Sequence, residues 1–383
     1  MTKIAFDAKR MVNNATGLGN YARTLVGDLS RLLPDDCEML LYSPDAGNDR
    51  LRTAIREDHR TRLVTPMGHV NALQKALWRS WGIVKDLKRD NVSLYHGLSG
   101  ELPWGIRAAG LPCVVTIHDL IFMRHPEYYN PIDVAIYKAK FRIACREASH
   151  IIAISKRTAM DIMELGGVTP DRIDVIYQSC GKRFGNVVSE EAAEAARLRH
   201  DLPARYVLNV GTIEERKNVM LAVKALAALP QDVHLVVVGR RTRYTDKVER
   251  YARQHSLDNR LHILSGVGDG DLQAIYQSAE SFVYPSRYEG FGLPIIEAIQ
   301  CKLPVVACTG SCLEEAGGPD CLYVHPDDHE ALSAAIAQTL RGAPNRDARI
   351  MKSREYVRHF ENNDTAKRVM ETYERLGIIN SWR

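Results

Sequence analysis

Short, β-branched apolar runs alternate with stretches of helical periodicity along the whole chain. Val92–Gly97 and Cys113–His118 are apolar almost throughout, as strands covered on both faces of a parallel sheet are. Further strands are expected at Lys3–Asp7, Glu38–Ser43, Arg62–Pro66, His150–Ser155 and Arg172–Tyr177, with helices at Asn20–Leu33, Asn71–Lys88 and Asp133–Ala148 between them. An Ala/Glu/Arg-rich stretch with Pro203 interrupts the rhythm. It then restarts with apolar runs at 206–212, 233–239, 261–266, 281–286 and 303–308. Strand–helix alternation of this kind builds right-handed βαβ units. The pattern therefore predicts an α/β chain of two doubly wound, Rossmann-like domains at residues 1–182 and 206–360, joined by a linker at 183–205. The end of the chain, Asp347–Leu376, is helical in pattern. Ala366, Val369, Met370, Tyr373 and Leu376 follow the 3.6-residue period, so this face packs on something.

Composition narrows the class. The 383 residues are 45% hydrophobic and 26% charged, an ordinary globular make-up that excludes disordered and collagenous chains. Lys and Arg exceed Asp and Glu by only 4, too little to suggest a nucleic-acid partner. No apolar run reaches the length of a membrane span, and the opening MTKIAFDAKR lacks the apolar core of a signal peptide. A cytoplasmic location is the expectation. The 8 cysteines and 13 histidines fall into no metal-ligand spacing; the cysteines are expected as buried free thiols, and no metal site is expected.

Open α/β sheets bind ligands beyond the carboxyl ends of their strands, so the residues that follow each strand are the candidates for chemistry. After residues 206–212 come Arg216 and Lys217, just before a helix. Two cations at a helix start oppose the macrodipole unless an anion sits there with them; the alternative is a solvated surface pair. After residues 281–286 comes Arg287-Tyr288-Glu289-Gly290-Phe291-Gly292-Leu293-Pro294, with Glu297 one turn into the next helix. Its glycines permit a tight turn whose amides approach a ligand, and its carboxylates suit paired hydroxyls. The ordinary reading of each Glu is an exposed turn residue or a helix-stabilising acid. In the first half, Gly17 and Gly19 form a glycine-rich loop before Asn20, but nine residues separate Asp7 from Gly17, too many for a nicotinamide dinucleotide fingerprint. His118 ends a strand and is expected to face a ligand.

Taken together, these pieces resemble the retaining glycosyltransferases of family four, which have the two-domain GT-B fold. The likeness runs through Gly17-Leu18-Gly19-Asn20-Tyr21, His118-Asp119-Leu120-Ile121-Phe122, Ile154-Ser155 with Thr158 and Asp161, Gly211-Thr212, Arg216-Lys217-Asn218 and Tyr284 to Pro294 with Glu297-Ala298. The resemblance implies two Rossmann-like domains facing a cleft, with residues 361–383 forming a helix that crosses back to the first domain. It implies an acceptor-binding first domain and a nucleotide-sugar-binding second. Arg216 and Lys217 would hold the donor diphosphate and Glu297 the ribose. Glu289 with the amides of Phe291, Gly292 and Leu293 would hold the sugar. Catalytic roles fall to His118 and Glu289, and Gly17 and Gly19 would allow close approach to the diphosphate.

No cofactor or metal is implied, the nucleotide sugar being a substrate. Similarity to bacterial polysaccharide mannosyltransferases favours GDP-mannose as donor and a glycan, lipid-linked in expectation, as acceptor. A UDP-sugar-dependent transferase, a sugar-nucleotide epimerase and a non-catalytic binding protein are the alternatives. The chain departs from the family at Gln178-Ser179-Cys180-Gly181, where Asn-Gly is frequent, and at Arg240–Arg243, where a glycine-bearing loop is usual.

Residues 50–90 hold ten Lys/Arg and four Asp/Glu. Within them, Asn71–Lys88 interleaves Leu73, Leu77, Trp78 and Trp81 with Lys75, Arg79, Lys85 and Lys88. A basic amphipathic helix of this kind suits an anionic membrane surface, which would place the protein peripherally at the inner face of the plasma membrane. The alternative is an ordinary helix with its apolar face in the core.

Overall fold

A computed structural model describes residues 1–53, 55, 57–66, 71–178, 180–360 and 364–380. Ser179 and residues 361–363 and 381–383, which fall within motifs considered above, lie outside the described residues. The chain forms two compact units, Met1–Gln178 with Asn363–Arg383, and Ser179–Asn362.

The first unit is built on seven parallel strands: β1 (Thr2–Asp7), β2 (Cys37–Tyr42), β3 (Thr61–Val64), β4 (Leu94–Gly97), β5 (Cys113–Ile117), β6 (His150–Ala153) and β7 (Ile173–Val175). Their order in the sheet is β3-β2-β1-β4-β5-β6-β7. The direction of strand addition therefore reverses between β1 and β4. Each face of the sheet carries its own apolar cluster, which is why these strands read as unbroken apolar runs. One cluster takes in Ala366, Val369, Met370 and Tyr373 of the last helix, Asp364–Arg375. The apolar stripe seen in the sequence is thus the surface by which this helix returns to the first unit. Tyr373 Oη lies 2.6 Å from Nδ1 of the buried His96, whose Nε2 lies 2.8 Å from Thr116 Oγ1.

The second unit holds six parallel strands: β8 (Tyr206–Val210), β9 (His234–Val238), β10 (Leu261–Leu264), β11 (Ser281–Tyr284), β12 (Val305–Cys308) and β13 (Leu322–Val324). Their order, β10-β9-β8-β11-β12-β13, reverses between β8 and β11. The three-residue β13 has no long apolar run of its own and escaped the sequence reading. Residues 183–205, read as a linker, belong to this unit. Their helix Glu190–Arg199 is anchored by Arg199 and His200 to Asp271, and Gln273 donates to the carbonyls of Arg183 and Asn186. Among the described residues, no helix is long and apolar enough to cross a membrane.

Candidate active site

Ligands of doubly wound sheets lie beyond the carboxyl ends of the strands at the point where strand order reverses. In the second unit that point lies between β8 and β11, and the chain following each of these strands brings charged groups to it. After β8, a single 3-10 turn (Glu215–Lys217) carries Arg216 and Lys217, and Asn218 takes a left-handed conformation before the helix Val219–Leu226 begins. The two cations therefore precede the helix instead of occupying its first turn, and the macrodipole conflict expected from sequence is relieved by geometry.

Their partner is Glu289, from the loop after β11. Lys217 Nζ donates to Glu289 Oε1 at 2.5 Å and to Tyr284 Oη at 2.8 Å. Arg216 Nη1 lies 2.9 Å from Glu289 Oε2 and donates to the Tyr288 carbonyl at 2.6 Å. Tyr284 Oη also donates to Glu289 Oε1, at 3.2 Å. Glu289 is 9% exposed. Burial opposes its charge, but Lys217 and Arg216 outweigh that and hold its pKa down to about 2. Burial likewise opposes the Lys217 ammonium, and Glu289 more than offsets it, so the pKa is raised. All three groups are charged at neutral pH. Arg216 Nη2 turns outward to Glu214 Oε1 at 2.8 Å, and the Glu214 side chain is 39% exposed. An incoming anion would compete with Glu214 for this outer nitrogen while Glu289 keeps the inner one.

The loop beyond Glu289 is fixed by a residue the sequence reading passed over. Cys312 Sγ donates to the carbonyls of Phe291 at 2.7 Å and Glu289 at 3.1 Å. All eight cysteines are buried free thiols, as expected from the sequence, and this one spans the loop. Gly292 caps the helix Leu293–Gln300 with φ of 149°. A Cβ there would also stand 3.0 Å from that of Ala316, so glycine is required both by conformation and by space. The amides of Gly292 and Leu293 thus stand at a helix end, where backbone donors lack intrahelical acceptors. On the same helix Glu297 is half-buried and accepts from Tyr276 Oη at 2.9 Å; burial raises its pKa. Beside the cluster, an open depression of about 550 Å³ is lined by residues ending β8, β9 and β10, among them Gly211, Gly239, Arg240 and Gly266.

In the first unit the reversal point lies between β1 and β4. Asp7 ends β1 and is buried. It pairs with Arg79 at 2.6 Å and accepts from Ser99 Oγ at 3.1 Å. Arg79 also pairs with Glu101, and Lys140 lies 3.1 Å from Glu101. Arg79 thus turns inward, and is not part of the basic face expected to meet an anionic membrane surface. Trp78 does too, donating from Nε1 to Asp86 at 2.7 Å.

His118, immediately after β5, is held as a neutral imidazole. Its Nε2 donates to the Leu98 carbonyl at 2.9 Å, and its Nδ1 accepts from Gln178 Nε2 at 2.9 Å. Tyr21 meets the ring edge-on, with centroids 4.7 Å apart, and burial lowers the pKa to about 4. Gln178, noted as a departure from the family pattern, is thus a direct partner of the candidate histidine.

Gly17 and Gly19 lie in the first turn of the helix Gly17–Leu32 and not in a loop before it. The short helix Lys9–Asn13 takes up the intervening chain. A Cβ on Gly19 would sit 1.8 Å from the Asn14 carbonyl oxygen, whereas one on Gly17 would meet nothing within 4 Å. Gly19 is a packing glycine; Gly17 borders open space.

Comparison with known proteins decides the family. A model described as Glycosyltransferase Family 4 matches residues 15–179, and one described as Glycosyl transferases group 1 matches residues 190–356. The chain belongs to glycosyltransferase family four. It is 29% identical over 290 residues to the O-antigen chain mannosyltransferase B of Escherichia coli, covering 74% of each chain. It is 27% identical over 260 residues to the serotype-specific mannosyltransferase WbdA of the same species. That match covers 65% of this chain, and it spans about a third, 32%, of the length of WbdA. In fold, this glycosyltransferase superposes on a glycosyltransferase from Rickettsia africae with a TM-score of 0.77 at 18% identity, over 99% of both chains. The two parallel-sheet units and the returning C-terminal helix are those of a GT-B glycosyltransferase.

Proposed function

We propose that this glycosyltransferase moves mannose from GDP-mannose to a lipid-linked glycan during synthesis of a cell-surface polysaccharide, with retention of anomeric configuration. The observation that carries the donor half is the buried cluster of Arg216, Lys217 and Glu289 at the strand-order reversal of the second unit. As the glycosidic bond breaks, negative charge develops on the departing diphosphate. Lys217 and the outer nitrogen of Arg216 would receive it in a site where burial strengthens their effect. Glu289, already ionised, would take hydroxyls of the sugar while holding both cations in position. Phe291, Gly292 and Leu293 would supply amides to the same sugar, Glu297 would take the ribose hydroxyls, and the depression at Gly266 the base. With two fixed cations and a helix terminus present, the departing charge needs no divalent metal.

In the first unit, His118 would lie against the donor sugar as a neutral, doubly hydrogen-bonded ring. With both ring nitrogens engaged it is a positioning surface and not a proton carrier at neutral pH. Gly17 would leave room for the diphosphate. Mannose is favoured by the names of the O-antigen relatives.

Incubation of the full chain with GDP-, UDP- and ADP-sugars and a glycan acceptor, followed by mass spectrometry, tests the reading. Transfer of mannose from the GDP-sugar alone is expected. Transfer only from a UDP-sugar would change the donor, an isomerised donor would indicate an epimerase, and an intact donor would indicate a binding protein. Proton NMR of the first product reports the anomeric configuration.

A further inference from the structure

The open depression beside the donor cluster has a chemistry of its own. Its wall is made where β8, β9 and β10 end, and much of it is backbone: Gly211, Gly239 and Gly266, with Thr212 and Ser265. The strand ends are locked together there. Gly211 N donates to the Val238 carbonyl at 2.9 Å, Gly239 N to the Leu264 carbonyl at 2.9 Å and Ile213 N to the Arg240 carbonyl at 3.0 Å. A Cβ on Gly239 would stand 1.8 Å from the Gly211 carbonyl oxygen, so only glycine lets the two chains approach this closely. Ser265 Oγ adds a bond to the Gly239 carbonyl at 2.7 Å. Just beyond, Thr242 caps the helix Arg243–Gln254.

The backbone on both sides of Arg240 is therefore fixed, while its side chain is exposed. Two arginines line the depression, Arg240 and Arg241. Arg241 is committed elsewhere, its Nη2 donating to Glu249 Oε1 at 2.6 Å. Arg240 pairs with no carboxylate among the described residues, and neither Asp nor Glu is among the described residues lining the depression. The uncommitted charge on this wall is thus a guanidinium. It opens the stretch where the family usually carries a glycine-bearing loop.

Such a wall discriminates between bases. A guanidinium fork matches two acceptors side by side, and guanine offers them as O6 and N7. Adenine puts an amino donor beside N7, which would face the donors of the guanidinium, and a pyrimidine has no N7 at all. The other edge of guanine, with its N–H donors, finds no carboxylate among the described residues of this wall. Guanine would therefore be read from its O6 and N7 edge, with the glycines leaving room for the ring.

We propose that Arg240 sets the nucleotide specificity of this transferase through a forked hydrogen bond to O6 and N7 of guanine. The proposal rests on the reading above that the depression takes the base of a GDP-sugar, and adds the residue that selects it. Lysine would not serve, since an ammonium brings the charge without the fork.

Calorimetric titration of the full chain with GDP, UDP and ADP reads the choice without acceptor or turnover. The wild-type chain should bind GDP best. Arg240→Ala should weaken GDP about 10- to 100-fold while leaving UDP and ADP within about twofold. Arg240→Lys should bind GDP no better than the alanine variant. On the unaltered protein, 7-deaza-GDP, with carbon in place of N7, should bind about tenfold more weakly than GDP, and Arg240→Ala should not tell the two apart. Equal weakening of all three nucleotides by Arg240→Ala would make Arg240 a diphosphate contact and overturn the proposal. Full GDP affinity in Arg240→Lys, or 7-deaza-GDP binding the wild type like GDP, would overturn it too. If the wild type favours GDP and Arg240→Ala keeps that preference, the proposal falls and the GDP reading stands. A wild type that favours UDP removes both.

Discussion

Replacing Lys217 by alanine separates the structural role of the cation cluster from its chemical one. The substitution deletes the 2.5 Å bond to Glu289 and the 2.8 Å bond to Tyr284. Glu289 is not orphaned, because Arg216 remains at 2.9 Å and the tyrosine hydroxyl at 3.2 Å. The cost to stability should therefore be that of a charge-assisted hydrogen bond, about 2 kcal/mol, and not the 3–5 kcal/mol (roughly) of an abandoned buried charge. For a unit of this size that is a fall of about 4–8 °C in Tm. The effect on transfer should be larger: loss of one preorganised group facing developing charge costs about 10²–10³ in kcat. Tm by circular dichroism and initial rates of nucleoside diphosphate release at saturating donor measure the two effects on one preparation. A Lys217→Ala enzyme with the expected loss of Tm but more than a third of wild-type kcat would show that Lys217 serves only to neutralise Glu289, and the charge-stabilisation argument would fail.

Other expectations follow from the same geometry. Glu289→Gln leaves two buried cations facing a neutral amide and should cost about 3–5 kcal/mol, read as a lower urea midpoint. Because its folded pKa of about 2 is depressed from 4.5, the ionised Glu289 stabilises the fold above pH 4.5 and loses that contribution as pH falls toward 2; the Gln variant should show a flatter acid limb. His118 has a folded pKa of about 4 against 6.5 in the unfolded chain, so the unfolded state takes up protons first on acidification. Stability from this group is complete above pH 6.5 and declines as pH falls toward 4. His118→Gln should reduce that slope in urea titrations. Gly19→Ala should lower Tm because of the 1.8 Å approach to Asn14, whereas Gly17→Ala should leave Tm unchanged and slow transfer; a wild-type rate in the latter would remove Gly17 from the donor site. Tyr373→Phe, which removes the Nδ1 partner of buried His96 and leaves Thr116 on Nε2, should cost about 1–3 kcal/mol, measured by urea denaturation.

Much of this architecture is written in local pattern. Strands covered on both faces must be continuously apolar, so β4, β5, β9 and β12 announce themselves, and the stripe through Ala366 and Tyr373 predicts a buried helix face before its partner is known. The pairing of Arg216 and Lys217 with Glu289 was not legible, since 72 residues separate Lys217 from Glu289 and only the sheet order brings them together. The motif placed each residue near ligand chemistry but not the three around one another. Arg79 misled for a related reason: in a basic helix its charge looks solvated, and its pairing with Asp7 depends on packing 72 residues away. Cys312 carried no signal, because a thiol bonding two carbonyls looks in sequence like any buried cysteine. Gln178 was visible as an unusual residue, but its contact with His118 was not.

The central claim is that Arg216, Lys217 and Glu289 form the donor site. A crystal structure of the full chain soaked with GDP tests it most directly. The account predicts the diphosphate bonded to Lys217 Nζ and Arg216 Nη2, with Glu214 displaced from the latter. GDP bound elsewhere, with the Arg216–Glu214 pair intact, would contradict it.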